Sequence, residues 1–225
     1  MAEQNDQTLS FSEHCGEFLT RHRKMIVIML AAICTVVAVV LIASSVTAHA
    51  AKKASMETES LISEWTDLRN KKDEELATKE DALAEKLEKQ AAENGRTYAA
   101  FRAYTTLGEM YVLRKDWEKA LTFYQKAAEA LPKAYTAGIA YFNAASCADE
   151  LQQHEKALEL YTLSAGFDDF PLKPRALFNI GRLEESLSHS DKAVEAYTKL
   201  TEAYPNNDWA LLAKSRIIVL SIQER

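Results

Sequence analysis

The sequence of 225 residues contains little of the two residue types that interrupt helices. It has 6 glycines and 4 prolines, and both types are unfavourable in a helix interior. Alanine, glutamate, lysine and leucine are abundant instead, and they are among the best helix formers. The composition therefore predicts a helical chain.

Cysteine is also scarce, and the three residues present are scattered at Cys15, Cys34 and Cys147. Only Cys147 lies beyond residue 50, so no disulfide can form within that larger part, and the spacing matches no metal site. Cys34 follows the bulky Ile33, whereas bacterial lipoprotein sites carry a small residue there. Lipid attachment at Cys34 is not expected.

Sequence patterns typical of catalysis are absent as well. None of the five histidines is followed by another at the third or fourth position, the spacing that would place two ligands on one helix face. No glycine-rich phosphate loop and no nucleophile elbow occurs. We expect no cofactor, no metal ion and no enzymatic activity.

The charged residues contain no uncompensated basic block. The net charge is -6, from 27 lysines and arginines against 33 aspartates and glutamates. Affinity for nucleic acid depends on clustered basic side chains. Nucleic acid is therefore not an expected partner.

One uncharged apolar run extends over residues 25–46. At about 1.5 Å per helical residue it reaches about 33 Å, enough to cross a hydrocarbon core of about 30 Å. Arg21, Arg23 and Lys24 precede the run, and Lys52 and Lys53 follow it. By the positive-inside rule, residues 1–24 are predicted to be cytoplasmic, residues 25–50 to form a transmembrane signal-anchor helix, and the rest to lie across the membrane.

A cleaved signal sequence is the alternative to this anchor. Residues 48–50, Ala-His-Ala, have the small-x-small pattern of a signal-peptidase site. The apolar run is longer than the ~7–15 residues usual in a cleaved signal, which favours the uncleaved anchor.

The second half of the chain repeats itself. Similar segments occupy residues 118–124 (EKALTFY), 155–161 (EKALELY) and 191–197 (DKAVEAY). Their alanines, Ala120, Ala157 and Ala193, are 37 and 36 residues apart. A period of this length is typical of solenoids built from helix pairs.

The repeat resembles the tetratricopeptide repeat (TPR) family. In the first unit Tyr104, Gly108 and Tyr111 stand at the family's first-helix positions, and Pro132 closes the second helix. The resemblance implies a TPR-type α-solenoid of three helix-turn-helix repeats, at residues 101–134, 138–171 and 174–207, within the span 101–207. The second and third units depart from the family pattern near their ends.

Small residues recur where the two helices of each unit should meet, and they let antiparallel helices approach closely. We predict that three small first-helix residues face three second-helix alanines: Gly108, Ala145 and Gly181 opposite Ala120, Ala157 and Ala193.

Both ends of the repeat region have helical patterns. Residues 208–225 are predicted to form a capping helix that packs on the last repeat and turns a polar face outward. Residues 51–100 form a charged helical segment that stops at Asn94-Gly95. Its leucines fit either a degenerate helix pair that opens the solenoid or a stalk helix with coiled-coil spacing.

The TPR resemblance also implies a binding groove lined by the first helices. Carried over by position, its residues are Arg102, Thr105, Glu109, Phe142, Asn143, Arg175, Phe178, Asn179 and Arg182. Phe142 and Phe178 are the predicted apolar anchors, and Arg175 and Arg182 flank them. The alternative is that neighbouring helices cover the phenylalanines. Thr105 and Glu109 replace basic and amide residues of the chaperone carboxylate clamp, so that activity is not expected.

The overall architecture resembles the bacterial ancillary subunits of the SecYEG translocon, which have a short cytoplasmic N-terminus, one inner-membrane helix and a periplasmic TPR domain. This resemblance implies a role in chaperoning of secreted or envelope proteins, with translocon subunits and periplasmic chaperones among the protein or peptide partners. The alternatives are a periplasmic scaffold for envelope assembly or division, and a mitochondrial outer-membrane receptor with cytosolic repeats.

Overall fold

The computed structural model of the protein describes residues 11–71 and 76–223, and in these ranges the chain forms nine helices and no strand. The prediction of an all-α solenoid is therefore confirmed for these residues. In chain order the helices are α1 Phe11–Lys71, α2 Leu76–Asn94, α3 Tyr98–Leu113, α4 Trp117–Ala130, α5 Tyr135–Glu150, α6 His154–Ala165, α7 Lys173–Ser186, α8 Ser190–Ala203 and α9 Asp208–Gln223.

The chain divides into two compact units, Met1–Ala50 and Ala51–Arg225. Part of α1 belongs to each unit. Residues 1–10 of the predicted cytoplasmic segment and residues 224–225 of the predicted capping helix lie outside the described residues.

In the first unit, α1 carries the apolar run, and it is the single helix of the described ranges long and apolar enough to span a membrane. The best 18-residue window has a mean hydropathy of 3.2, and none of it is buried. Thr35 donates a hydrogen bond to the carbonyl of Ala31 at 2.8 Å, and Ser44 to that of Leu41 at 2.9 Å. These hydroxyls therefore need no water, which a bilayer core lacks. A signal sequence has the same features, so the anchor stays a prediction.

The second unit begins with a helix pair formed by residues 51–71 of α1 and by α2. The indole Nε1 of Trp65 donates to Oε1 of Glu80 at 2.8 Å, and the amide of Gln90 donates to the carbonyl of Ala54 at 3.2 Å. The contact nearer the end of α1 joins the start of α2, so the two helices are antiparallel. Trp65 and Leu87 are buried in a cluster that includes residues of α3, as a helix pair opening the solenoid requires.

Three further pairs follow, α3/α4, α5/α6 and α7/α8, and their turns share one conformation. Lys115, Gln152 and Ser188, spaced like the repeated alanines, have φ angles of 59°, 57° and 62°. This left-handed region is unfavourable for residues with a Cβ. In each turn that residue donates to a carbonyl three residues back at 2.9 Å, and the next residue donates to a carbonyl five back at 2.8–2.9 Å. The two hydrogen bonds satisfy carbonyls at the helix end and offset the strain.

The close approach within two of the pairs is made over glycine. A Cβ added to Gly108 would lie 2.7 Å from the ring of Tyr124, and one added to Gly181 would lie closer still to the ring of Tyr197. The nearest atoms above these glycines therefore belong to tyrosines, while Ala120 and the other predicted second-helix alanines are fully buried. The second unit has Ala145 at this place and accommodates its methyl group.

The last helix, α9, packs on α8 and α7 through Ala210, Ala213 and Leu220, which are buried. Its opposite side was expected to be polar, but the structure shows otherwise. Leu211 is 56% exposed and Ile218 60% exposed. The prediction of a polar outer face is wrong, because the apolar residues of α9 are too numerous for one buried side.

We expect Gly181→Ala to lower the free energy of unfolding by about 1–2 kcal/mol. The added methyl overlaps the Tyr197 ring at a cost of about 1–3 kcal/mol, and the better helix propensity of alanine returns at most about 1 kcal/mol. The ring cannot easily move, because the Tyr197 hydroxyl donates to Glu185 at 2.6 Å.

Chemical denaturation of the full chain in detergent measures this effect. Gly108→Ala is the matched comparison and should cost less, since no hydrogen bond holds the Tyr124 hydroxyl within the described residues. Equal or reversed costs would contradict this account of the packing.

Candidate functional site

Ion pairs join the first helix α5 to α7 and α7 to α9. Arg182 of α7 pairs with Asp149 of α5, and Arg216 of α9 pairs with Glu185 of α7 through two hydrogen bonds, one from Nε at 3.0 Å. Because these pairs link one first helix directly to the next, the first helices lie side by side. We call the surface that carries their predicted groove residues the first-helix face.

These pairs follow the repeat. Glu185 stands 36 residues after Asp149, and Arg216 stands 34 residues after Arg182. The second and third repeats thus each offer an acid near the end of the first helix to an arginine in the middle of the following first helix. At the other end of the solenoid, Arg102 of α3 makes a bidentate pair with Glu59 of α1, at 2.7 and 3.0 Å.

The carboxylate of Glu185 has the most contacts of these acids. Burial alone would raise the pKa of Glu185, but hydrogen bonds from Arg216 and Tyr197 outweigh burial and hold that pKa below its ordinary value. Burial and the bond to Glu185 in turn raise the pKa of the Tyr197 hydroxyl. The group is therefore ionised at neutral pH and fixes α9 against α7.

The structure places Phe142 in the core, not on an open groove. Its side chain is 3% exposed, and its ring meets those of Tyr161 and Phe170 at centroid distances of 5.2 and 5.8 Å. The guanidinium of Arg175 lies above the same ring, 5.3 Å from its centroid. The prediction that Phe142 is an accessible anchor is wrong, because neighbouring elements cover it.

Phe178 is half-buried and remains at the surface. Its ring packs between Tyr197 and Trp209, at 5.5 and 5.1 Å between centroids. One edge lines a shallow pocket between α7, α8 and α9. The pocket residues are Phe178, Arg182, Glu185, Ser186, Tyr197 and Arg216.

Polar groups without a partner in residues 11–71 and 76–223 occur at three of the predicted positions. The side-chain amides of Asn143 and Asn179, which are half-buried, make no hydrogen bond there. Arg175 is exposed and has no carboxylate partner in that part of the chain, although it lies 5.6 Å from the Trp209 ring centroid as well as over Phe142.

The remaining predicted residues differ in availability. Glu109 is exposed, while the Thr105 hydroxyl donates to the carbonyl of Phe101 at 2.8 Å. Arg102 and Arg182 are held by Glu59 and Asp149 as described above. Their charges are neutralised within the chain, so they contribute less to binding an external group than their positions suggest.

Two residues of α9 also belong to the first-helix face, although they were not among the predicted groove residues. Trp209 and Arg216 stand 34 residues after Arg175 and Arg182. This 34-residue TPR period is the signal that points to them, whereas the predicted capping helix accounts only for packing on the last repeat.

Two observations on the described residues concern metal ligands and the buried thiol. Residues 11–71 and 76–223 contain no group of three potential metal ligands. Cys147 is buried, and burial raises the pKa of its thiol to about 12, so the reactive thiolate is not populated at neutral pH.

Comparison with known proteins identifies the repeats. Residues 99–165 and 174–207 each match a family model described as tetratricopeptide repeat. The chain is 47% identical over 148 residues to a TPR repeat-containing protein of Treponema pallidum (strain Nichols). This match covers 65% of the chain but 62% of the relative, so the chain spans less than two thirds of that protein's length.

Two solved structures are similar in fold. The N-terminal domain of stress-induced protein-1 (STI-1) from C. elegans superposes with a TM-score of 0.46 and 21% identity, over 52% of this chain and 94% of that domain. A mutant of MamA gives a TM-score of 0.42 and 22% identity, over 54% of this chain and 83% of that protein.

The chain therefore contains tetratricopeptide repeats, which generally serve as non-enzymatic modules that bind proteins or peptides. The matched descriptions name the repeat and not a translocon subunit.

We expect Glu185→Gln to lower the free energy of unfolding at pH 7 by about 1 kcal/mol, because the variant loses the charge that binds Arg216. The ordinary pKa of this carboxyl is 4.5, and the folded state lowers it. Its contribution is therefore fully present above that value and is lost as the pH falls through the lowered pKa.

Denaturation curves of the full chain between neutral and acidic pH check this expectation. The difference from the original protein should shrink as the pH falls below 4.5. Glu195→Gln, at an exposed glutamate of α8, is the control and should change little at any pH. A difference that does not depend on pH would contradict the role given to this carboxylate.

Proposed function

We propose that the protein is a membrane-anchored adaptor that binds an extended segment of another protein along its first-helix face. The observation that carries the proposal is the set of unpartnered polar groups at Asn143, Arg175 and Asn179. Neither asparagine amide is used by the described chain or shut away from solvent, so both are available to hydrogen-bond with a bound peptide.

An extended peptide backbone fits these amides chemically. Asparagine offers both a donor and an acceptor, which match the N–H and C=O groups of a chain that is not paired in a sheet. Asn143 and Asn179 lie on the successive first helices α5 and α7. One extended segment that crosses both helices would therefore offer a backbone group to each amide.

Arg175 and Phe178 supply selectivity in this proposal. Arg175 offers an uncompensated positive charge held over two aromatic rings, which favours an acidic residue or a carboxylate in the ligand. The pocket beside Phe178 would take a side chain with an apolar body. A segment with one acidic and one apolar residue, a few positions apart, is the ligand that this face favours.

The membrane anchor is the second part of the proposal. The length of the apolar run, its internally bonded hydroxyls and the basic residues before it support an uncleaved helix with residues 1–24 in the cytoplasm. The bacterial source of the 47% identical relative supports a bacterial inner membrane. We place the repeats in the periplasm and propose that they assist translocon-linked chaperoning of secreted or envelope proteins.

We expect Asn143→Ala with Asn179→Ala to weaken recovery of partners by about 1–2 kcal/mol per amide, or about 5- to 30-fold each, without loss of stability. Full-length protein is crosslinked in its membrane, purified, and its partners are quantified by mass spectrometry. Asn206→Ala removes an exposed amide outside the face and serves as the control.

Phe142→Ala distinguishes binding from folding. Because Phe142 is buried, its truncation should destabilise the fold by about 3–5 kcal/mol, and binding should fail only because folding fails. Unchanged partner recovery in the double asparagine variant would reject the first-helix face as the binding site. Recovery of envelope-assembly proteins without translocon subunits would favour the scaffold function.

The anchor predicts that the membrane-extracted protein retains residues 25–50. Intact mass measurement of protein extracted from membranes after alkaline washing decides this. Reporter fusions before residue 25 and after residue 223 should show opposite sides of the membrane. A mature N-terminus at Ala51 would overturn the anchor but leave the binding face untouched.

A further inference from the structure

Two first helices begin with the same short pattern, a basic residue two positions before an exposed tyrosine. Arg96 precedes Tyr98, the first residue of α3, and Lys133 precedes Tyr135, the first residue of α5. The two patterns are 37 residues apart, which is one repeat period. The tyrosines are 54% and 58% exposed, and neither basic side chain has a carboxylate partner in the described ranges of the chain. Packing within the repeats therefore leaves more than half of each tyrosine uncovered.

These helix starts lie at the edge of the second unit that holds its first residues. Gln90, near the end of α2, donates to the carbonyl of Ala54 at 3.2 Å. About one turn further along, Arg102 of α3 pairs with Glu59 of α1, so Tyr98 lies near the level of Ala54. Because α4 packs between α3 and α5 and runs back along them, α5 begins at the same edge as α3. We call the edge that carries residues 51–57 and the starts of α3 and α5 the entry edge.

The covalent chain keeps the entry edge close to the apolar run. Eight residues lead from Val46, the last residue of that run, to Ala54. They reach at most about 29 Å when extended and about 12 Å as a helix. With residues 25–46 spanning a membrane, as proposed above and as this inference requires, Ala54 lies within that distance of the hydrocarbon core. The lipid headgroups fill about 5–7 Å of this distance.

The basic and tyrosine pattern is confined to the two repeats nearest residue 51. In the loop before α7, Asp168 and Asp169 are exposed, and Lys173 pairs with Asp168 at 3.4 Å. Before α9, Asn207 stands where a basic residue would continue the pattern, and the exposed Asp208 follows it. A pattern required for packing of the repeat would recur in every repeat. Its restriction to α3 and α5 favours a contact with something that lies next to the first part of the solenoid.

A tyrosine beside a basic residue is suited to the surface of a bilayer. Tyrosine is enriched at membrane–water interfaces, where its ring contacts apolar groups while its hydroxyl stays hydrated. Lysine and arginine at the same level are attracted by the phosphates of anionic lipids. We propose that the entry edge docks on the membrane that holds the chain's own anchor, with Tyr98 and Tyr135 in the interface and Arg96 and Lys133 on lipid phosphates. This contact fixes the first repeats against the membrane surface, whereas a tether alone would leave them free to turn.

Photocrosslinking to lipid tests this contact. Full-length protein is reconstituted in vesicles of phosphatidylethanolamine and phosphatidylglycerol, with the photocrosslinker p-benzoylphenylalanine at one chosen position, and lipid adducts are measured by intact mass. Because only the entry edge meets the interface, we expect adducts at positions 98 and 135 to exceed those at position 113 at least about fivefold. Leu113 ends α3 and is 52% exposed, so it is a matched control at the other end of the helix that Tyr98 begins.

A charge reversal distinguishes docking from proximity, since the tether alone brings the entry edge near lipid. With the photocrosslinker at the exposed Pro132, Arg96→Glu together with Lys133→Glu should lower lipid adducts at least about fivefold, because anionic lipid repels the introduced charges. Lys115→Glu together with Lys192→Glu changes the net charge equally, at exposed lysines of the opposite edge. This control should leave the adducts unchanged.

A photocrosslinker at Val37, within the apolar run, makes failure of the anchor distinguishable from failure of the docking. Adducts at position 37, with positions 98 and 135 no higher than position 113, would overturn the docking and leave the anchor intact. An absence of adducts at all of these positions would overturn both. Adducts that survive the charge reversal would overturn the docking, and so would crosslinks from positions 98 and 135 to a second copy of the chain in place of lipid.

Discussion

The packing of a second-helix tyrosine over a glycine of the first helix is the contact on which the repeat region depends. Gly181 leaves room for the ring of Tyr197, and the ring position sets the position of the hydroxyl. That hydroxyl donates to Glu185, which in turn binds Arg216 of α9. A missing methyl group on one helix is therefore linked, through one tyrosine and one carboxylate, to the placement of the following helix. Because these contacts are connected, a substitution at Gly181 should alter the ion pair of Arg216, and a substitution at Arg216 should alter the packing of Tyr197.

The ion pairs on the first-helix face position the helices more than they stabilise them. Half-exposed pairs of this kind contribute about 0–1 kcal/mol each, which is small beside the burial of core residues such as Tyr197. Their effect is to join consecutive first helices at defined points, Arg182 to Asp149 and Arg216 to Glu185. Charges that could have attracted a ligand are used for this purpose. The groups left over, two amides and one arginine, are suited to backbone recognition with limited charge selectivity.

The sequence predicts the features of this structure that depend on local, periodic patterns. Repeated alanines and glycines indicate helix pairs because each pair reuses the same close contact. The left-handed turn residue at Gln152 could not be read from composition, since no glycine marks it and hydrogen bonds within the turn offset its strain. The burial of Phe142 could not be read either, because it depends on Phe170 in a loop and on Arg175 from the next repeat. Contacts with residues distant in the sequence cannot be inferred from the spacing of residues within one helix.

The first-helix face and the outer face of α9 differ in the forces that they can use. The first-helix face has few apolar atoms free, since Phe142 is covered and Phe178 is half-covered, so its affinity must come from hydrogen bonds and one charge. Such contacts gain little net free energy each and discriminate by geometry. The outer face of α9 has few polar atoms free, so contacts there would gain free energy from burial, which scales with area and discriminates poorly.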